Sequence, residues 1–144
     1  MPDRALNAAD VHNSLTNSDL GHRVKLNLDL HHLWTNLSLH RVYVLNSDAF
    51  QFLDDGNIVF VQGQPPDKLY ATDSTEEDGV QPMEWVLPVR TESTWSLRKW
   101  VAVFESLEAY QQSPVKRILM GLYTEDSTVV YYFVHNSLIK PRRN

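Results

Sequence analysis

The chain has 144 residues, with 13 basic against 18 acidic side chains, no cysteine and an apolar share of 42%. That length corresponds to one domain with enough apolar material for a packed core, which excludes wholesale disorder; the lack of cysteine excludes a disulfide framework, a zinc ribbon and a thiol nucleophile. The net charge of −5 makes the chain a poor free-standing nucleic-acid binder, because non-specific affinity comes from neutralising phosphates.

Residues 1–18 are small and polar and read as a flexible N-terminal arm ahead of a domain over 19–144. Met1–Asn7 lacks the apolar stretch of a secretory signal, which points to an intracellular protein. From Leu20 onward two patterns compete. Val24, Leu26, Leu28 and Leu30 alternate as in a strand, whereas Leu20, Val24, Leu28, Leu33 and Trp34 fall at helical spacing. Length favours a helix over Asp19–Thr35, capped by Ser18 or Asp19. Strands are predicted at Leu39–Leu45 and Ile58–Val61, separated by a short apolar piece, Phe50–Leu53, and the turn Asp54-Asp55-Gly56-Asn57.

Gly63-Gln64-Pro65-Pro66 breaks the chain, and residues 67–82 form an acidic loop insertion carrying Asp67, Asp73, Glu76, Glu77 and Asp78, read as solvated spacer. Glu84–Leu87 resumes as a strand ended by Pro88. A second helix spans Thr94–Gln111, with Leu97, Trp100, Val101, Phe104 and Leu107 as its stripe, Ser93 or Thr94 as its cap, and Pro114 barring continuation. Arg117–Tyr123 and Thr128–Val134 form a hairpin around Thr124–Ser127, both arms unbroken by polar alternation and therefore expected to be buried on both faces. The element order α-β-β-β-α-β-β describes a single α/β (α+β) domain, a mixed sheet with two main helices.

Most catalytic chemistry fails on spacing. His22, His31, His32 and His40 invite a metal, but neighbours on a helix diverge by about 100°, and no H-E-x-x-H frame surrounds them; no metal or cofactor is assigned. No serine sits in G-x-S-x-G, and the five glycines form no phosphate loop. Metal-free RNA cleavage needs a base, an acid and a cation held together, and the C-terminal half offers one histidine, His135, among core-like neighbours. Arg98, Lys99, Lys116, Arg117, Lys140, Arg142 and Arg143 are candidates for a basic patch, although a solvated surface of scattered charge is the favoured account of them. What stands out is Val129–Val134. Six consecutive β-formers must be buried on both faces or become an adhesive edge. A second chain pairing with them is one solution, and an ordinary central strand is the other.

Asp126-Ser127-Thr128-Val129-Val130-Tyr131-Tyr132, preceded by Lys116-Arg117-Ile118-Leu119-Met120, resembles the C-terminal hairpin of the tRNA-splicing endonuclease family. Glu84–Pro88, Trp95–Trp100, His32–Leu37 and Gly63–Pro66 are similar to that family's small accessory subunit in its fungal form, and the resemblance spans roughly Leu20 to Asn144. It implies the restriction-endonuclease-like fold of the tRNA-intron-endonuclease C-terminal domain. It also implies a non-catalytic place in a heterotetramer that removes introns from precursor tRNA, in which other subunits carry a Tyr-His-Lys triad.

Two contacts are implied at matched positions. The last long strand, Val129, Val130, Tyr131, Tyr132, Phe133 and Val134, would pair side by side with the same strand of a partner subunit. The acidic turn Glu125-Asp126 would dock into a basic cleft of a catalytic subunit, giving orientation more than affinity; a plain polar hairpin turn is the simpler account of the same two residues. The expected partners are therefore the catalytic and structural subunits, with precursor tRNA met through the complex; for the chain alone both a homodimer and a monomer stay open. The family places such an enzyme in the nucleus or, as in yeast, on the cytoplasmic face of mitochondria. The rival readings are an autonomous RNA nuclease built on His135 with a Tyr and a Lys, and a self-associating scaffold.

Overall fold

The computed structural model describes residues 15–45, 47–50, 56–69, 81–91 and 93–136. Helix α1 runs over Asn17–His32 and strand β1 over Thr35–Tyr43; a 3-10 turn at Ser47–Ala49 precedes β2, Asn57–Gln64. Then come β3 at Glu84–Arg90, α2 at Leu97–Gln111, β4 at Arg117–Tyr123 and β5 at Val129–His135. The five strands form one sheet in chain order, with the pairs β1–β2, β2–β3 and β4–β5 antiparallel and β3–β4 parallel. The parallel pair exists because α2 carries the chain back across the sheet between β3 and β4.

Strand alternation distributes the core between the two sheet faces. Val24 and Leu28 of α1 pack with Trp34, Val61, Val86 and Leu119. Val103, Phe104 and Leu107 of α2 pack on the opposite face with Val42, Phe60, Trp85, Leu87, Val89 and Ile118. The one buried hydroxyl of α2 is satisfied: Ser106 donates to the Ala102 carbonyl at 2.6 Å and accepts from the Leu45 amide at 3.0 Å, so a polar group is buried without the cost of an orphan.

Several boundaries differ from the sequence expectation, each for a local reason. The helical reading of the first segment holds, but α1 starts at Asn17 because Thr16, not Ser18 or Asp19, is its cap. The Thr16 hydroxyl accepts from the Asp19 amide at 3.1 Å, while the Asp19 carboxylate accepts from the Thr16 amide at 3.0 Å. This reciprocal capping box holds the Asp19 carboxyl below its ordinary pKa. Leu15 is buried against Leu20 and Tyr123, so the packed chain reaches into what the sequence assigned to the arm. The helix ends at His32, not Thr35, because Leu33 takes a left-handed conformation (φ 58°). Leu26, Leu30 and Leu33 are therefore exposed, and Leu33 leaves the apolar stripe.

Strand β1 starts at Thr35 and ends at Tyr43, four residues ahead of its predicted start. Gly63 and Gln64 extend β2 instead of breaking it. A Cβ on Gly63 would collide with Leu37 and meet Trp34 at 3.0 Å, so the glycine allows the chain after α1 to lie against the strand. Pro88 does not end β3: it pairs with Gly121 of β4, and the ladder between β2 and β3 has stopped at Val86, so no β2 partner needs its missing N–H. The cap of α2 is Ser96, which accepts from the Lys99 amide, not Ser93 or Thr94. Of the predicted acidic loop, Asp67–Leu69 and Gln81 lie within the described residues; 70–80 lie outside them, as do 51–55, most of the predicted Phe50–Leu53 piece and Asp54-Asp55 turn.

The largest correction concerns the final hairpin. Strand β4 is buried, as expected of a central strand, but β5 has only one neighbour and is the edge of the sheet. Val130 is 41% and Tyr132 52% exposed, so β5 is not buried on both faces.

Candidate subunit interface

The seven residues of β5 pair without interruption with β4, from Arg117↔His135 to Tyr123↔Val129. One face carries Val129, Tyr131 and Phe133, which pack toward α1. Tyr131 is held by its hydroxyl, which donates to the Asn27 side-chain carbonyl at 2.8 Å, and by an edge contact from His32 at 5.3 Å; burial pushes its pKa well above the ordinary phenol value. The other face carries Val130, Tyr132 and Val134. Val134 joins the α2 cluster, while Val130 and Tyr132 stand opposite the half-buried Leu122 and Met120 of β4 and extend an apolar surface to solvent. Among the described residues, no strand lies along the outer side of β5 in the sheet. An uninterrupted, apolar edge of this kind is a template for pairing with another chain.

The two carboxylates of the turn have separate tasks. The Thr124 and Thr128 hydroxyls and the Thr128 amide converge on Asp126, with the Thr128 contacts at 2.8 and 3.2 Å, and these hydrogen bonds hold its carboxyl below the ordinary value. Ser127 adopts φ 70°, and the Thr124 amide closes the turn on the Thr128 carbonyl at 2.9 Å. Both carboxylates are exposed, but it is Asp126 whose oxygens are taken up by the turn. The turn is tied back to α1 by a chain that sequence reasoning missed: Arg23 donates to the Tyr123 hydroxyl at 3.1 Å, which donates to Ser127 Oγ at 3.2 Å. Arg23 and Asn27 lie one helical turn apart, the spacing that places both on one flank of α1 beside the hairpin. That spacing was readable, but its target was not.

The residues singled out for chemistry are distributed otherwise. His135 lies opposite Arg117 and stacks on Phe133 at 5.8 Å, while Arg117 sits over the Phe133 ring at 4.7 Å and forms a half-buried ion pair with Glu84 at 2.6 Å. A His–Tyr hydrogen bond does exist, elsewhere and unanticipated. His40 Nδ1 meets the Tyr110 hydroxyl at 2.8 Å and Nε2 meets Ser38 Oγ at 2.8 Å, with the ring edge-on to Trp85 at 4.9 Å. Both ring nitrogens are engaged, and burial lowers the His40 pKa below the ordinary imidazole value. His31 and His32 occupy the last turn of α1, and no group of three or more His, Cys, Asp or Glu side chains converges among the described residues. The basic patch is partly spent internally: Lys99 binds the Thr94 carbonyl and Arg117 binds Glu84, while Lys140, Arg142 and Arg143 lie outside the described residues. No helix among the described residues is long and apolar enough to cross a membrane.

Comparison with known proteins bears directly on the hairpin. A probable tRNA-splicing endonuclease subunit of Neurospora crassa, tsp-1, is 28% identical over 150 residues, an alignment covering 82% of this chain and 62% of that protein's length. The tRNA-splicing endonuclease subunit SEN15 of Eremothecium gossypii is 33% identical over 84 residues (58% of this chain, 67% of that one). A probable subunit sen15 of Schizosaccharomyces pombe is 29% identical over 131 residues, 84% and 80% of the two chains. The profile of the Sen15 protein family matches residues 23–144, from the Arg23 that anchors the turn through both strands of the hairpin, and the chain therefore belongs to that family.

Proposed function

We propose that this chain is a non-catalytic subunit of a tRNA-splicing endonuclease, supporting intron removal from precursor tRNA by assembling with and positioning the catalytic subunits. The observation that carries the reading is β5, a regular, apolar, unpaired edge on a well-packed domain whose relatives are named as subunits of that enzyme. A buried five-stranded core with one open edge suits a protein completed by a neighbour. In this assignment Val129–Val134 pair with the matching strand of a partner subunit, and Glu125, presented on the turn that Asp126 braces, faces a basic cleft on a catalytic subunit.

The finer labels belong to the same proposal. We assign the domain to the restriction-endonuclease-like class, with α1 and α2 flanking a mixed sheet as its support. The non-catalytic role is supported by where the titratable groups go: His135 beside Arg117 and Phe133, and His40 with both nitrogens hydrogen-bonded. RNA is then met through the complex, in the nucleus or on the cytoplasmic face of mitochondria. Co-expression with the catalytic and structural partners followed by size-exclusion chromatography tests the proposal. A stable complex is expected. A chain that stays monomeric beside its partners, or that cleaves precursor tRNA when purified alone, overturns it.

A further inference from the structure

The sheet is open at a second place, in its interior. The β2–β3 ladder holds three pairs, Val61↔Val86, Gln62↔Trp85 and Gly63↔Glu84, yet β2 begins at Asn57 and β3 continues to Arg90. Residues 58–60 and 87–90 therefore run beside the same gap without pairing across it in the described ladder. The gap is a cleft of about 690 Å³, walled by Ile58 and Val59 on one strand, Leu87, Pro88 and Val89 on the other, and closed at one end by Trp95 in the approach to α2. It lies at the Arg90 end of β3, whereas β5 borders β4 alone.

Two lining residues point to what the cleft takes. The Nε–H of Arg90 and the indole N–H of Trp95 are buried and have no hydrogen-bond acceptor among the described residues. Buried donors are paired in the great majority of cases because an orphan forfeits its hydration. Here two orphans line one opening, and both lack the same thing, an acceptor. The Lys99 ammonium adds positive charge 5.6 Å from the Trp95 ring and 5.9 Å from the Phe50 ring, against one carboxylate among the described lining residues, Asp48.

We propose that this cleft binds an extended segment of another polypeptide, an acidic side chain flanked by apolar residues, running along the unpaired length of β3. The carboxylate accepts from Arg90 and Trp95, the flanking apolar side chains meet Ile58, Val59 and Leu87, and peptide groups meet main-chain groups that β2 leaves free. Pro88 suits this arrangement: as a residue without an N–H it leaves no donor of its own to be satisfied. RNA is the poorer fit, because a phosphate chain needs a row of outward cations and stacking faces, whereas the described lining offers two cations, Arg90 and Lys99, and Trp95 already packs at a tilt against Trp100 at 4.5 Å.

The test uses the full chain and a phage-displayed library of random seven-residue peptides, with an enriched peptide then synthesised and titrated by fluorescence anisotropy. Enriched peptides are expected to share a Glu or Asp between apolar residues. Replacing that acid by its amide is expected to weaken binding roughly 10-fold or more, the loss typical of a charged hydrogen bond. Arg90→Gln is expected to do the same, and Trp95→Phe, which keeps an aromatic face but loses the N–H together with the five-membered ring, to weaken binding several-fold; circular dichroism verifies that both variants are folded. No enrichment, enriched peptides without an acid, affinity indifferent to both variants, or displacement by an oligouridine RNA overturns the proposal. Val130→Asp with Tyr132→Asp is expected to leave peptide binding unchanged, which separates failure here from failure of the subunit assignment.

Discussion

The sheet has two outer edges, and the chain treats them differently. Strand β1 is irregular: its register against β2 shifts between Thr35 and Ser38, and Asn36 there takes φ 53°. Its polar side chains are drawn into cross-links, Asn36 to Gln64 at 2.8 Å and His40 to both Ser38 and Tyr110. Strand β5 is uninterrupted over seven pairs, and its solvent-facing side chains are Val130 and Tyr132. Bulges, kinks and charge are the usual means by which an edge is protected from pairing with a stranger. One edge of this protein has them and the other does not, and that asymmetry, more than exposed apolar area in general, marks β5 as the side built to be covered. Exposed area alone would mislead: Tyr43 on β1 is 67% exposed, more than either β5 residue.

The comparison can be broken most decisively at β5. Val130→Asp with Tyr132→Asp is expected to weaken assembly with the partner subunits by roughly 100-fold, about 3 kcal/mol, read by co-elution or by calorimetric titration. Stability of the isolated chain should change within about 0.5 kcal/mol, as for other exposed sites. If the double variant assembles normally, the open edge has no part in the complex.

A somewhat smaller effect is expected beneath the hairpin. A Cβ on Gly121 would lie 3.2 Å from Tyr131 and Val86 and 3.3 Å from Val24, so the bare backbone of β4 is what lets α1 sit close to the sheet beside β5. Gly121→Val is expected to cost about 1–3 kcal/mol by overpacking, measured by urea denaturation. An unchanged midpoint would mean that α1 is free to shift.

The β1 edge supplies a pH-dependent prediction. Burial depresses the His40 pKa below that of the unfolded chain, so folding favours the neutral ring. The corresponding stability is present above the unfolded value of about 6.5 and is lost as pH falls through the lower folded value. The melting temperature should therefore fall between pH 7.5 and pH 5.5, and His40→Gln should flatten that part of the profile. Asp126 gives the matching test at the other edge. Its depressed carboxyl loses its contribution only as pH drops below about 3.8 and through its lower folded value, so Asp126→Asn should loosen the turn at neutral pH, with the difference from the parent chain shrinking as pH falls below about 3.8. The smallest effect is expected for Tyr43→Asp, which should leave assembly unchanged; a loss comparable to that of the β5 variant would remove the distinction between the edges.

Much of the hairpin was legible because its signals are local. Arg117–Tyr123 could be placed to the residue by the unbroken apolar run between Pro114 and the Thr124–Ser127 turn. The stripe Phe104 and Leu107 of α2 and the helical rather than strand reading of Leu20, Val24 and Leu28 were equally plain. The caps were misplaced because several Ser, Thr and Asp residues precede each helix, and only geometry shows which hydroxyl meets an N3 amide: Thr16 for one, Ser96 for the other. Pro88 and Gly63 were taken as breaks since their effect depends on what lies beside them, which for Pro88 is the end of the β2 ladder and for Gly63 the side chain of Leu37.

By itself, then, the sequence determined the seven elements, their order, and that Val129–Val134 form a strand with more apolar surface than one chain comfortably hides; periodicity and turn residues act within a few positions and survive translation into structure unaided. Tertiary structure alone decided that this strand lies at the rim, that Asp126 of the two exposed carboxylates braces the turn, and that β2 and β3 part where Arg90 and Trp95 have no acceptor among the described residues. Edge or centre, paired or orphaned, are properties of neighbours brought from many residues away, and no local pattern specifies who those neighbours will be.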